Sequence, residues 1–373
     1  MSMVRAPDDE RPVVSVGMLG YGFMGRVHSN ALKTLPYMFW PDSARVDLRA
    51  IGGRTEEAVR EAATRYGWSH YTTDWRDIVD DPDIQVFDNV SSDAAHFEPT
   101  LAAVRAGKHV VCEKPLAVTL REAVELEQAA IAAGVKHMTC FNYRFVPAVR
   151  LAHDMIEHGE LGEIFSANFR YAQEWRTDPT SALPTSTGAL SVIGCHAVDQ
   201  ARYLVGEIDT VSAVITNPVT SAERAEPVDT VTAVAQFDGG AVGTIAATLI
   251  APGRKNMLGW EINGSKGSLS WDLEQLNLLR VYRRGASPEG FTDVIVCEPN
   301  HPLVAQWWPS GHVLGWEHSH INMWAHFINS VVGGGEVGPD AATFTDGAQA
   351  ARVAEAITRS AASGERTTIA TTV

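Results

Sequence analysis

Gly20, Gly22 and Gly25 stand in G-x-G-x-x-G spacing inside the stretch VVSVGMLGYGFMGRVH, Val13 to His28. A β-branched apolar run precedes them and a helix-like segment follows, which is the setting in which such glycines bind a pyrophosphate. The first permits a tight turn, the second lets a phosphate approach the backbone, and the third lets helix and strand pack closely. The anion then sits at the positive end of the helix, met by free N–H groups, with Phe23 and Met24 inside the same loop. Other positions carry residue types that move protons. Glu113-Lys114-Pro115 ends an apolar run; in isolation such a tripeptide is an ordinary solvated turn. Tyr143 and Arg144 follow another apolar run, where a ligand contact and a junction aromatic with a structural ion pair are equal readings. His196 precedes Asp199 by one helical turn, so it reads as an acid/base group or as a buried histidine satisfied by that aspartate.

These groups need elements to hold them, and the first half of the chain alternates strand and helix. Strands are predicted at Val13 to Leu19, Val46 to Ile51, Gln85 to Val90, His109 to Cys112 and Lys136 to Phe141. Helices are predicted at Met24 to Thr34, Glu56 to Tyr66, Phe97 to Ala106 and Leu120 to Ala133, with a loop at Leu35 to Ser43. Repeated βα units of this length make a doubly wound parallel sheet of the Rossmann type, with its crevice at the carboxyl ends of the strands. From about Pro147 the pattern changes. A helix at Ala148 to Glu157, a strand at Glu163 to Tyr171 and a helical segment at Leu190 to Leu204 lead into a succession of strands: Ile208 to Thr216, Thr230 to Phe237, Ala241 to Thr248, Asn256 to Asn263, Gly267 to Trp271 and Leu278 to Tyr282. Asp238-Gly239-Gly240 is a hairpin signal. Helices at Glu317 to Val332 and Ala341 to Ser363 close the chain. The expected division is residues 12–146 as a dinucleotide-binding domain and 147–373 as an α+β domain with a large, mostly antiparallel open sheet, used for substrate and oligomer contacts.

A length of 373 residues suits two cores. The formal net charge of −15 and the lack of a Lys/Arg cluster argue against a nucleic-acid partner. Four cysteines without C-x-x-C pairing fit a reducing compartment, and neither an apolar leader nor about 18 uninterrupted apolar residues occur, so a cytoplasmic protein without membrane association is expected. The second strand ends Ile51-Gly52-Gly53-Arg54-Thr55, with no carboxylate for a ribose 2′-OH. Arg54 suits a 2′-phosphate or an adenine ring, or is a solvated arginine after a turn. NAD is the expected cofactor, with NADP left open.

Read together, the glycine loop, the Gly107 to Pro115 segment with its strand-end Glu-Lys-Pro, Asn142-Tyr143-Arg144, and Gly188 to Asp199 resemble the Gfo/Idh/MocA family of sugar and cyclitol oxidoreductases. The resemblance implies that Lys114 hydrogen-bonds the reacting hydroxyl and manages its proton, that Glu113 lies against the cofactor, and that His196 is an acid/base group helped by Tyr143. It also implies that Ser91 to His96, similar to the family's TPNxxH loop, borders the nicotinamide ribose, with Ser91 and His96 in contact; Ser92 and Asp93 depart from that pattern. Gly188 to Asp199 matches at both glycines, His196 and Asp199, but Val192 stands where many members have an aspartate one turn before the histidine. A valine cannot orient a histidine or bind a hydroxyl.

On the substrate side the expected contacts are Arg144, Tyr171, Trp175, Arg176, Asp199, Trp307 and His318. Aromatic rings stack on sugar C–H faces, and an arginine beside a tryptophan suits a carboxylate or sulfonate. His318 and His320 lack a suitably spaced partner for a metal, so none is expected. The leading activity is NAD(P)-dependent oxidation of a secondary hydroxyl of a pyranose, pyranoside or cyclitol. An alternative keeps the cofactor but is redox-neutral: an NAD-dependent glycosidase, acting on an anionic glycoside such as a sulfoquinovoside. A third is a non-catalytic dinucleotide sensor. The apolar face of an open sheet predicts a homo-oligomer, dimer or tetramer.

Overall fold

The computed structural model describes residues 10–40, 44–177, 188–217 and 229–369. The apolar runs of the first half form β1 (Val13–Leu19), β2 (Arg45–Gly52), β3 (His70–Thr72), β4 (Val86–Asn89), β5 (His109–Cys112) and β6 (His137–Thr139). They lie parallel in the order β3-β2-β1-β4-β5-β6, so the strand order reverses beside β1 and opens a crevice at its carboxyl end. The connecting helices are α1 (Phe23–Met38), α2 (Glu56–Tyr66), α3 (Trp75–Asp80), α4 (Phe97–Arg105) and α5 (Leu120–Ala133). Local chemistry sets their ends: Thr119 and Glu122 form a capping box at the start of α5, and Gly134 closes it in the left-handed conformation. The first helix outruns its expected end at Thr34. Pro36 sits in its last turn and leaves the Leu32 carbonyl without its helical donor, while the buried Leu32 and Leu35 side chains anchor that turn in the core. Residues 41–43 of the expected loop lie outside the described residues.

The second half contains α6 (Pro147–Glu157), β7 (Ile164–Ala172), a π turn at Leu190–Gly194 and α7 (Cys195–Leu204). It continues through β8 (Ile208–Thr216), β9 (Thr230–Phe237), β10 (Val242–Thr248), β11 (Met257–Gly264), β12 (Gly267–Asp272), β13 (Leu278–Arg283) and β14 (Thr292–Ile295) to α8 (Glu317–Gly333), α9 (Phe344–Ser363) and β15 (Thr367–Thr368). One nine-stranded sheet results, ordered β14-β13-β12-β11-β7-β10-β9-β8-β15, antiparallel except where β7 meets β10. The hairpin at Asp238 forms, with Gly240 at φ 88 and Val242 paired to Gln236. Short β3, β14 and β15 carried too few alternating residues to be predicted. The last helix starts at Phe344, later than Ala341, because Thr343 and Asp346 build its capping box.

Both final helices return to the parallel sheet. Ile321, Trp324, Phe327 and Ile328 of α8 share a core with Val16, Met18 and Leu32, while Phe344 and Ala348 of α9 join the opposite core with Phe87 and Leu126. This packing brings the start of α8 over the crevice.

Candidate active site

The turn after β1 has the geometry its glycines foretell. Gly20 adopts φ +116, and a Cβ there would lie 2.6 Å from the Val90 carbonyl. At Gly25 a Cβ would lie 2.4 Å from the Gly20 carbonyl, so strand and helix close up only without one. Beside Gly22 the space is open. No side chain caps α1 and no acidic residue occupies its first turn, so its leading N–H groups face a groove of about 920 Å³. An open approach to uncapped amides fits a pyrophosphate. Gly20, Gly22, Phe23, Met24, Arg54 and Ser91 line this groove.

Phe23, Met24 and Ser91 also line a second cavity of about 520 Å³, which receives Glu113, Lys114, Tyr143, Tyr171, Trp175, Val192 and His196. Lys114 comes from the end of β5, and its Nζ donates to the Val192 carbonyl at 2.9 Å. The His196 ring is buried among Tyr143, Phe141 and Tyr171, with centroids 4.7, 5.8 and 6.0 Å away. Burial first, then the Lys114 charge, holds its pKa well below the usual histidine range. It is therefore a neutral imidazole, able to act as a base but a weaker one than an ordinary histidine. Burial pushes the Tyr143 phenol up, so it stays a hydroxyl. Around it runs a hydrogen-bonded chain: Trp316 Nε1 donates to the Tyr143 hydroxyl at 3.3 Å, the Tyr143 and Tyr171 hydroxyls lie 2.9 Å apart, and Tyr171 donates to Asn256 Oδ1 at 2.7 Å. Gln173 donates to the same Asn256 oxygen at 2.6 Å and accepts from Trp175 Nε1 at 2.6 Å. A neutral base, a lysine and a wall of amides and aromatic rings can together deprotonate and orient a polyol.

Comparison with known proteins agrees with this geometry. Residues 14–141 match the family model for the NAD-binding Rossmann fold of the Gfo/Idh/MocA oxidoreductases, and residues 153–369 match the model for their C-terminal alpha/beta domain. The chain belongs to the Gfo/Idh/MocA oxidoreductase family. NAD is its cofactor. Levoglucosan dehydrogenase of Pseudarthrobacter phenanthrenivorans is 38% identical over 379 residues, covering 94% of this chain and 96% of that one. The structure of levoglucosan dehydrogenase in complex with NADH and levoglucosan superposes with a TM-score of 0.92 at 37% identity, covering 96% of this chain and 100% of the other. Myo-inositol 2-dehydrogenase of Thermotoga maritima is 28% identical, covering 69% of this chain and 74% of its own.

Several residues expected to touch substrate in this Gfo/Idh/MocA chain are engaged elsewhere. Arg144 and Asp199 form a buried ion pair, with contacts of 2.6, 3.0 and 3.2 Å, and Arg144 also reaches Asp346 at 3.0 Å. Asp199 thus serves Arg144 and leaves His196 alone, which removes the reading of a histidine satisfied one turn later. Arg176 pairs with Asp229 at 2.7 Å, both buried. Trp307 donates to Asn322 in the core beside Phe39, and His318 packs on it at 4.5 Å. None of these five lines the cavity among the described residues. Asn142, Gln173, Asn256, Trp316 and His320 do, and none of them was expected as a substrate contact.

The loops of the crevice are clamped by polar groups. Asn89 Nδ2 donates to the Ala95 and His96 carbonyls and to Thr100, while its oxygen accepts from Ser91. His96 lines the cavity, but its Nδ1–H donates to the Pro115 carbonyl at 2.7 Å, tying this loop to the lysine turn. Asp93 accepts from the Ala94 amide, which gives the unexplained acid a local role. Behind them His28 lies 3.0 Å from Asp88 and 3.4 Å from Glu113. Burial opposes its charge, yet the two carboxylates outweigh burial and raise it to about 10. Glu113, despite burial, is held down to about 2 by the same imidazolium. Donor atoms of His28, Glu113 and Cys140 lie within 4.8 Å of one another. A protonated His28 has no lone pair to give a metal.

Proposed function

We propose that the chain oxidises a secondary hydroxyl of a neutral pyranose, anhydropyranose or cyclitol. What carries this reading is a single cavity in which Lys114, His196 and Tyr143 share a wall and which meets the glycine-loop groove at Phe23, Met24 and Ser91. NAD, when bound, supplies the hydride acceptor. Gly20, Gly22, Phe23, Met24, Gly25, Arg54, Ser91, His96 and Glu113 hold it. Lys114 donates a hydrogen bond to the reacting oxygen, and neutral His196 takes its proton directly or through Tyr143. Tyr171, Trp175, Gln173 and Asn256 orient the remaining hydroxyls. The identity to levoglucosan dehydrogenase supports a sugar of that kind. No arginine lines the cavity among the described residues, which favours a neutral substrate over a sulfonated or carboxylated one.

The test is to incubate the purified protein with NAD and a panel of levoglucosan, myo-inositol, free pyranoses, and neutral and anionic aryl glycosides. Reduced-nicotinamide absorbance and aglycone release are followed together. Net NADH formation with a neutral polyol, lost in Lys114→Ala, supports the reading. Aglycone release with solvent deuterium at C2 and no net reduction replaces it with the glycosidase.

The same reading extends to assembly and location. Phe165, Val214, Val234 and Val242 are exposed on the outer face of the nine-stranded sheet, and a second copy is the cover that face suits; light scattering after gel filtration tests for the dimer or tetramer. Four buried free cysteines favour the cytoplasm. No helix among the described residues is long and apolar enough to cross a membrane. The two sheets favour a division between residues 146 and 147.

A further inference from the structure

Lys114 is held in an unusual way for a buried-site lysine. The adjacent Glu113 is turned toward His28 and the Lys114 amide. The Lys114 amine donates to the Val192 main-chain carbonyl, at 2.9 Å. That carbonyl lies in the middle of the π turn Leu190–Gly194. A π turn pairs each carbonyl with an amide five residues on, which displaces it from the α-helical register and is why such turns recur at functional sites. The Val192 side chain meanwhile lies half-buried between the aliphatic core of the second half and the cavity.

We propose that residue 192 positions Lys114 through its main chain, so that the π turn fixes the amine while adding no charge to the cavity. The inference rests on the reading that Lys114 serves the reacting hydroxyl. An ammonium has three donors, and one bond to the carbonyl leaves two for the cavity. Its charge also stays uncancelled and acts on His196, in keeping with the neutral state of that ring. A carboxylate at 192 would oppose both effects.

The test needs no substrate. Folded Val192→Ala, Val192→Asn and Val192→Asp proteins are treated with acetic anhydride at fixed pH, and acetylation of Lys114 is read by peptide mass spectrometry against the exposed Lys255. Val192→Ala and Val192→Asn are expected within twofold of wild type, because the carbonyl remains. Val192→Asp is expected to react at least fivefold more slowly, because the new carboxylate holds the amine as ammonium. A crystal structure of Val192→Ala should retain the contact between Lys114 Nζ and the carbonyl. The proposal is overturned if Val192→Ala alters labelling as much as Val192→Asp does, if Val192→Asp labels like Val192→Asn, or if the contact is gone in the Val192→Ala crystal. With a turned-over sugar in hand, Val192→Asp should move the pH profile of kcat/KM upward by about one unit. Full activity in Lys114→Ala would refute the role of the lysine without touching the labelling result.

Discussion

Arg144 with Asp199 and His28 with Asp88 are buried charges that face each other, whereas Lys114 and His196 face a cavity, with a carbonyl and aromatic rings beside them. The paired charges spend their ionic and hydrogen-bond contacts on other protein groups, so they hold elements together. The cavity groups keep open donors and lone pairs. In this chain, then, partner availability separates structural charge from working charge, and residue type does not. Arginine and aspartate, which looked like substrate ligands, are on the structural side.

The sharpest break of that comparison is Arg144→Met. It strands Asp199 in the core and should cost about 3–5 kcal/mol of stability, read by urea unfolding, while the folded fraction keeps its KM. A raised KM at unchanged stability would put Arg144 back at the substrate. Lys114→Ala should do the reverse, lowering kcat/KM about 1,000-fold with little change in melting temperature. Next comes the pH dependence of stability. His28 rises from about 6.5 to about 10 on folding, so its contribution is full below pH 6.5 and is lost as pH climbs through 10; Glu113, lowered to about 2, contributes above its unfolded value and loses that as pH falls toward 2. In His28→Leu the alkaline slope of the unfolding free energy should flatten, and an unchanged slope means that the imidazolium is absent. His196→Gln should cost about 100-fold in kcat, and the wild-type profile should lack a histidine step near 6.5, since burial keeps that ring neutral. The smallest effect is expected for Asn256→Ala, which loses about 1 kcal/mol of binding and so raises KM about fivefold with kcat within threefold. A larger fall in kcat than in affinity would move Asn256 from reading hydroxyls to the chemistry.

Much of the fold was legible because its signals are local. α2, β5 and α5 begin and end where periodicity, Thr119 and the flanking glycines put them. The three glycines of the first turn were readable because each role depends on backbone a few residues away. Gfo/Idh/MocA membership and NAD followed from motifs at strand ends, and the family match agrees with both. The cavity wall was harder. Gln173 and Asn256 are ordinary amides in ordinary strand-end sequence, and no spacing marks them. The π turn was equally hidden, since LSVIG and the helix after it share one apolar pattern.

By itself the sequence determined most of the longer strands and helices and where the phosphate loop lies. These depend on interactions within a turn or two. Only the tertiary structure decided what each charge meets. Arg144 finds Asp199 and Asp346 across 55 and 202 residues of chain, and Lys114 finds the Val192 carbonyl across 78. Such encounters depend on how two sheets and two returning helices pack, and the same side chain becomes a brace or a reagent according to which neighbour that packing supplies.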